Sequence, residues 1–338
     1  MKNNTRLYFI AWLVFSVLTI IAMMLFGGSR NQIAFIPDQG FNWYYWQLPQ
    51  IDNISRITGW SFFILHLIVT LFLAWKVGKV KFSDTLSPWH IALFFSQIFF
   101  VILHFIQTAF WYDSLVHDTP VWLSQVSVII MLVMMLIILN QKRGLFFGKK
   151  IPIPQSVTKF FIDIHGPYII LALVFTFWYH PMENTYGHLI GFFYMFMLFG
   201  QIIFANTKIH FNRIWVFLLE FTVLIHGTAI ALQSKNIPSI NASKDMWPMF
   251  AFGFGAIAII TQIYLLKLPK WALILLNLIY LSSVVLVYIG GIFSVRTFNQ
   301  IGEIIYIPFI EYILVIVFIG LAIIILKLKG IIGTKKSI

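Results

Sequence analysis

Long apolar runs broken by short polar stretches dominate the chain. One helical crossing of a bilayer takes about 20 apolar residues. Read on that scale, the pattern predicts ten helices, near 7–26, 57–77, 88–111, 120–140, 157–179, 185–205, 213–233, 246–266, 271–292 and 307–326. Ten crossings use roughly 200 residues, which leaves connections too short for a soluble catalytic domain. The expected fold is an all-α polytopic integral membrane protein, one transmembrane domain over 1–338. The first helix follows a basic start but lacks a clear small-residue cleavage site, so it is expected to be an uncleaved span.

Composition agrees with this. Hydrophobic residues make up 60% of the chain and charged residues 10%, against roughly a quarter charged in a soluble domain. The net charge of +12 would suggest nucleic acid in a soluble protein, but its distribution points to topology. With the N-terminus inside, 18 of the 23 Lys and Arg residues fall on or near the inner side, and only Arg30, Arg56, Lys235, Lys244 and Arg296 fall outside. That excess orients a membrane protein during insertion. Both termini are therefore expected inside, in a bacterial cytoplasmic membrane, with the lipid bilayer as partner and no nucleic acid. Zero cysteines exclude disulfides, thiolate metal sites, iron–sulfur clusters and cysteine nucleophiles. The triplets Asn53-Ile54-Ser55 and Asn241-Ala242-Ser243 match glycosylation sites but are expected by chance in such a chain.

The long outer connection, 27–56, contains Phe41-Asn42-Trp43-Tyr44-Tyr45-Trp46. Such aromatics anchor a chain at the headgroup level, and the functional alternative is a lid over a lipid-soluble substrate. The main inner loop, 141–155, carries Lys142-Arg143 and Lys149-Lys150 and lacks the spacing of a phosphate loop, so it reads as an orientation signal. Setting Val101-Ile-Leu-His104 over Val223-Leu-Ile-His226 suggests an internal repeat of helices 2–3 in helices 6–7.

Candidate chemistry lies in the histidines, because ionisable groups inside a bilayer are costly and usually functional. His66, His104, His165, His188 and His226 lie within spans, while His90 and His180 lie at helix ends. At 1.5 Å per residue, His66, His104, His188 and His226 share an outer-half depth, and His90 and His165 lie toward the inner face. No two histidines are three or four apart, so zinc-protease helices and clustered-histidine di-iron boxes are absent. Any metal would need ligands from different helices, and neutral imidazole suits iron, copper and zinc alike. Glycines beside His165, His188 and His226 would let a flat macrocycle approach the backbone.

His90 and His104 are fourteen residues apart on helix 3, about 40° apart in azimuth and about 21 Å in height. Over Trp89–Trp111 this resembles the polytopic b-type cytochromes, including the quinol-oxidising cytochrome b and ferric-reductase families, in which such a pair serves two stacked haems. The resemblance implies haem b held by His66, His104, His188 and His226, with His90 and His165 as inner ligands of a second haem. It also implies electron transfer with a quinone or an outer-side metal ion, and other membrane subunits as partners. A matching pair on a second helix is missing, since His165 and His180 are fifteen apart and about 60° off face.

Other classes compete: a bare copper or zinc site, a proton-coupled transporter using Glu220 and His226, and a lipid acyltransferase with one intramembrane histidine as base. Glu220, His180 and His117 are the proton-path candidates, and the last two, with Asp113, Asp118 and Glu183, form a polar outer rim. The histidine-bearing core is expected over 57–233. Helices in 1–26 and 246–326, together with helix 4, lack intramembrane histidine and are assigned to scaffold, lipid contact or a partner.

Overall fold

The structure, a computed structural model, describes residues 3–27, 33–37, 39, 43–112, 115–234, 246–292 and 296–331. Arg30, Asp38, Phe41, Asn42, Asp113, Lys235, the Asn241 triplet, Lys244 and Asp245 lie outside them. Ten α-helices follow one another: α1 (Asn3–Phe26), α2 (Asn53–Gly78), α3 (Pro88–Trp111), α4 (Val121–Arg143), α5 (Gln155–Tyr179), α6 (Tyr186–Ile203), α7 (Arg213–Ser234), α8 (Trp247–Ile260), α9 (Lys270–Tyr288) and α10 (Tyr306–Leu328). Among the described residues there is no strand, only an isolated bridge between Phe146 and Lys149. Among the described residues nine helices are long and apolar enough to cross a membrane, and α8 is a shorter apolar one. The chain is a polytopic integral membrane protein. "Outer" and "inner" below follow the charge bias.

Several helix starts carry a polar cap. Asp52 accepts the Ile54 and Ser55 amides at the start of α2, at 3.2 and 2.9 Å. Ser87 starts α3, and Thr185 starts α6 by accepting the His188 amide at 3.3 Å. Three helix ends differ from the expected bounds by four residues: α1 and α2 start at Asn3 and Asn53 rather than near 7 and 57, and α9 ends at Tyr288 rather than near 292. The largest difference is in α8, which the apolar run predicts as continuous over 246–266 but which stops at Ile260 and continues as a 3₁₀ turn over Gln262–Leu266, ending at Lys267 with φ +54°. The freed Ile260 carbonyl accepts the Phe147 amide at 2.9 Å. That partner comes from the inner loop, which turns back between Gly144 (φ +79°) and Gly148 (φ +77°). A Cβ on Gly144 would lie 2.5 Å from the Gly148 backbone, so this turn requires glycine there.

The centre of the bundle is aromatic. α1, expected as scaffold, is fixed to α6 by Trp12, fully buried, whose indole N–H donates to the Phe196 carbonyl at 2.8 Å. Gly200 lets Trp12 seat against α6. A second apolar cluster joins α4, α5 and α10 around Ile137, Phe161 and Val315.

At the inner end of α6, His210 donates through Nδ1 to the Gln201 carbonyl at 3.1 Å, and Gln201 accepts the Trp215 indole N–H at 2.8 Å. Burial pushes the His210 imidazole down from its ordinary 6.5 to about 4, the backbone bond offsetting part of this. Between those values the unfolded chain binds a proton that the folded one does not, so stability rises with pH across the window. Acidifying the detergent-solubilised protein from neutrality toward pH 4 should therefore lower its unfolding temperature. His210→Asn, which keeps a donor for Gln201, should flatten that slope. An unchanged slope would rule out this residue as the cause.

Candidate functional site

The nine histidines do not form one array. His66 of α2 is completely buried and fully bonded: the Trp178 indole N–H donates to its Nδ1 at 3.0 Å, and its Nε2 donates to Gln97 Oε1 at 2.9 Å. Gln97 passes the chain on to Thr70 Oγ1 at 2.9 Å. The imidazole stacks on Phe100 with centroids 4.2 Å apart. His104 of α3 donates from Nε2 to the His180 carbonyl at 2.9 Å and is packed among Phe177, Trp178 and Phe192.

The two inner candidates are separated. His90 is a helix cap: its Nδ1 accepts from the Ser87 amide and hydroxyl at 3.1 and 2.7 Å, while Nε2 donates to the Ala205 carbonyl at 2.9 Å. It takes the place that a Glu or Gln holds in a capping box. His165 is half-buried on α5 and donates to the Ile162 carbonyl one turn back, at 2.5 Å. On the outer rim, His117 lies in the α3–α4 connection beside Asp118. Asp118 itself accepts from Arg56 and, at 2.7 Å, from the Trp60 indole. Partial burial works against the Asp118 carboxylate, but these bonds outweigh it and hold the group below its ordinary value.

Three other imidazoles converge. His180 at the end of α5, His188 on the first turn of α6 and His226 on α7 line one cavity of about 170 Å³. His180 and His188 have ring centroids 6.3 Å apart. Each is held differently. His180 donates from Nδ1 to the Thr176 carbonyl at 2.8 Å, which fixes its tautomer and leaves the Nε2 lone pair as acceptor. Burial lowers its proton affinity below the ordinary value, against that backbone bond, so the ring is neutral at neutral pH. His188 bonds Thr185 Oγ1 through Nδ1 at 2.8 Å and accepts the Tyr44 hydroxyl at Nε2 at 3.0 Å. His226 lies over Gly191, where a Cβ would come within 2.7 Å of its Nε2.

Most of the remaining wall is apolar, formed by residues such as Met131, Leu173, Phe192, Met195 and Val223; Tyr44, Thr176, Tyr194 and Gln233 are its other polar members, and among the described residues it carries no Asp, Glu, Lys or Arg. Tyr44 and Trp46 close one side, with Trp46 edge-on to His188 at 5.2 Å. Gln233 links the two helices of the site by accepting the Gly187 amide at 2.7 Å.

Of the four outer histidines expected together, the structure brings His188 and His226 to one cavity, adds His180, and leaves His66 and His104 in hydrogen bonds of their own behind Phe177 and Trp178. The residues do not fit the haem ligand set implied by the resemblance. Both nitrogens of His66 and of His90 are engaged, and His90 and His165 make unrelated contacts. Among the described residues no group of three or more His, Asp or Glu side chains is disposed to hold a metal ion. Glu220 is not beside His226 but bonded to Arg143, which the sequence assigned only to the orienting loop. Comparison with protein-family models, curated proteins and solved structures returns no match for this chain.

Sequence reasoning undervalued Tyr44, Trp46 and Gln233, and placed His180 on a proton path rather than in the cavity. Thr185, three residues before His188, was the available signal that His188 sits at a capped helix start. The two classes of histidine should separate on mutation. His66→Ala strands the Trp178 N–H and the Gln97 amide in the core and should cost about 3 kcal/mol or more. His226→Ala, at a cavity wall, should cost about 1 kcal/mol or less. Unfolding in mixed micelles measures both, and equal losses would contradict the distinction.

Proposed function

We propose that the chain binds an uncharged, lipid-soluble molecule with a hydroxyl or carbonyl head in the outer cavity and exchanges a proton with that head through His180, His188 and His226. Quinones and quinols are one class with this chemistry, and hydroxylated lipids another. The charge bias of the connections supports a site in the outer half of a bacterial cytoplasmic membrane. One observation carries the reading: three imidazoles, from the end of α5 and from α6 and α7, line a cavity whose walls are mostly apolar and, among the described residues, hold no Asp, Glu, Lys or Arg.

Such a pocket, apolar with a few convergent polar groups, suits a ligand whose bulk comes from the bilayer and whose orientation is set by hydrogen bonds. His180 offers an acceptor for a substrate hydroxyl. His188 offers its Nε2 once Tyr44 turns away, so the tyrosine competes with the ligand for one nitrogen. His226 lines the cavity wall, its Nε2 close over Gly191 and its ring hydrogen-bonded to the Gly187 backbone of α6. A buried neutral imidazole that gains a proton from a substrate is stabilised by a neighbouring acceptor, and Tyr44, Thr185 and the Thr176 carbonyl are the acceptors present.

The test is photolabelling of the bilayer-reconstituted protein with a diazirine-bearing long-chain quinone and a diazirine-bearing long-chain alcohol. Label from one or both probes should map to α6 and α7 around Met195 and Val223 and be competed by the unlabelled compound. In Gly191→Leu, whose side chain would press on the His226 ring and crowd the cavity that both residues line, that label should fall at least several-fold. Label spread over α9 and α10 and indifferent to Gly191→Leu would contradict the proposal.

A further inference from the structure

A second buried polar cluster lies further in than the cavity and takes no part in its chemistry. Arg143, the last residue of α4, is enclosed, and its two terminal nitrogens donate to the two carboxylate oxygens of Glu220, one of them at 2.8 Å. Glu220 stands seven residues along α7 from its inner start, about 10 Å in. Tyr194 of α6 touches both levels: it lines the cavity and lies within electrostatic reach of Glu220.

The third member is Glu311 of α10. It is 3% exposed, and both Glu220 and Arg143 act on it electrostatically. Its Oε2 has no hydrogen-bond partner among the described residues, and neither does Nε of Arg143. One loop organises the group. Leu145, two residues after Arg143, accepts the hydroxyl of Tyr312, the neighbour of Glu311, and Phe147 donates to the end of α8.

Charge decides the protonation state. The single guanidinium is already matched by Glu220 in a two-pronged pair. A second carboxylate, unbonded and away from water, is far costlier as an ion than as a neutral acid. Among the described residues, the charged groups that act on Glu311 are Glu220 and Arg143. α8 has no ionisable side chain. From α5, Tyr168 is committed to the Ser127 carbonyl, and Glu303, in the 3₁₀ turn before α10, is bonded to Arg296 and Tyr288.

We propose that Glu311 is an intramembrane proton-binding site, neutral at rest, which releases its proton to water and hands the resulting carboxylate charge to the free Nε–H of Arg143. In this step the Glu311 O–H bond breaks, the proton leaves as hydronium, and no electron is transferred. The ligand is the proton itself, and the inference holds whatever occupies the outer cavity.

Infrared difference spectra of the bilayer-reconstituted protein between acid and alkaline pH test it. The wild type should lose a carboxylic-acid carbonyl band on alkalinisation, and Glu311→Gln should lack that band while keeping an unfolding midpoint close to wild type. Glu220→Gln, which leaves a buried guanidinium with one anion fewer, should instead be strongly destabilised. Dicyclohexylcarbodiimide, which attacks protonated carboxyls in apolar surroundings, should label Glu311 and spare Glu220, with labelling falling about tenfold per pH unit above the midpoint. The proposal is overturned if the carbonyl band survives in Glu311→Gln, if Glu311→Gln is as destabilised as Glu220→Gln, or if neither method finds a protonated Glu311 at any pH.

Discussion

A polar group enclosed in a membrane bundle must find its partner in protein, because water is not there to replace one. That constraint organises this molecule. Ring nitrogens that are fully matched, as in the Thr70–Gln97–His66–Trp178 chain, join helices and are spent. Of the imidazoles that border the cavity, His180 leaves its Nε2 lone pair as acceptor, while His188 is matched by Thr185 and by Tyr44, a partner from outside the helices. The same rule separates Glu220, matched twice by Arg143, from Glu311, whose Oε2 has no partner among the described residues. Structural and chemical side chains of one residue type are thus told apart by hydrogen-bond accounting rather than by depth.

The outer cavity brings together elements distant in sequence. α5 ends at His180, α6 begins within a turn of His188, and the two are joined by a short connection, so helix termini rather than mid-helix positions supply two of the three imidazoles. Glycines at 187 and 191 keep α6 thin where Gln233 and His226 of α7 reach across. Tyr44 and Trp46 reach the same place from the connection between α1 and α2. A hydroxyl bonded to an imidazole, on a segment outside the helices, is a contact that a ligand's own hydroxyl could replace.

Membrane class, helix number and most helix ends were legible in the sequence because they follow from apolar length; the start of α2 was not, because it is set by the Asp52 cap, four residues before the expected start. The α8 break was not, since the Phe147 amide that satisfies Ile260 comes from more than a hundred residues away. The histidines were correctly singled out as a class, but depth along a helix says nothing about azimuth or partner. Spacing along the chain puts His66 and His226 at one level, yet Trp178 and Gln97 cover the one and a cavity borders the other. Arg143 was hidden by its company: beside Lys142, Lys149 and Lys150 it reads as one more orienting charge, and only the packing of α4 on α7 and α10 shows it as the partner of Glu220.

Chemical reactivity of the individual imidazoles tests the central distinction most directly. Diethyl pyrocarbonate, small and membrane-permeant, acylates neutral ring nitrogens that it can reach, and peptide mass spectrometry reads each site separately. In the bilayer-reconstituted protein His226 and His180 should react readily, with His66 and His90 spared until the protein is unfolded. If His66 reacted as fast as His226, or if none of the three cavity histidines reacted in the folded protein, the division between bonded and available imidazoles would be wrong.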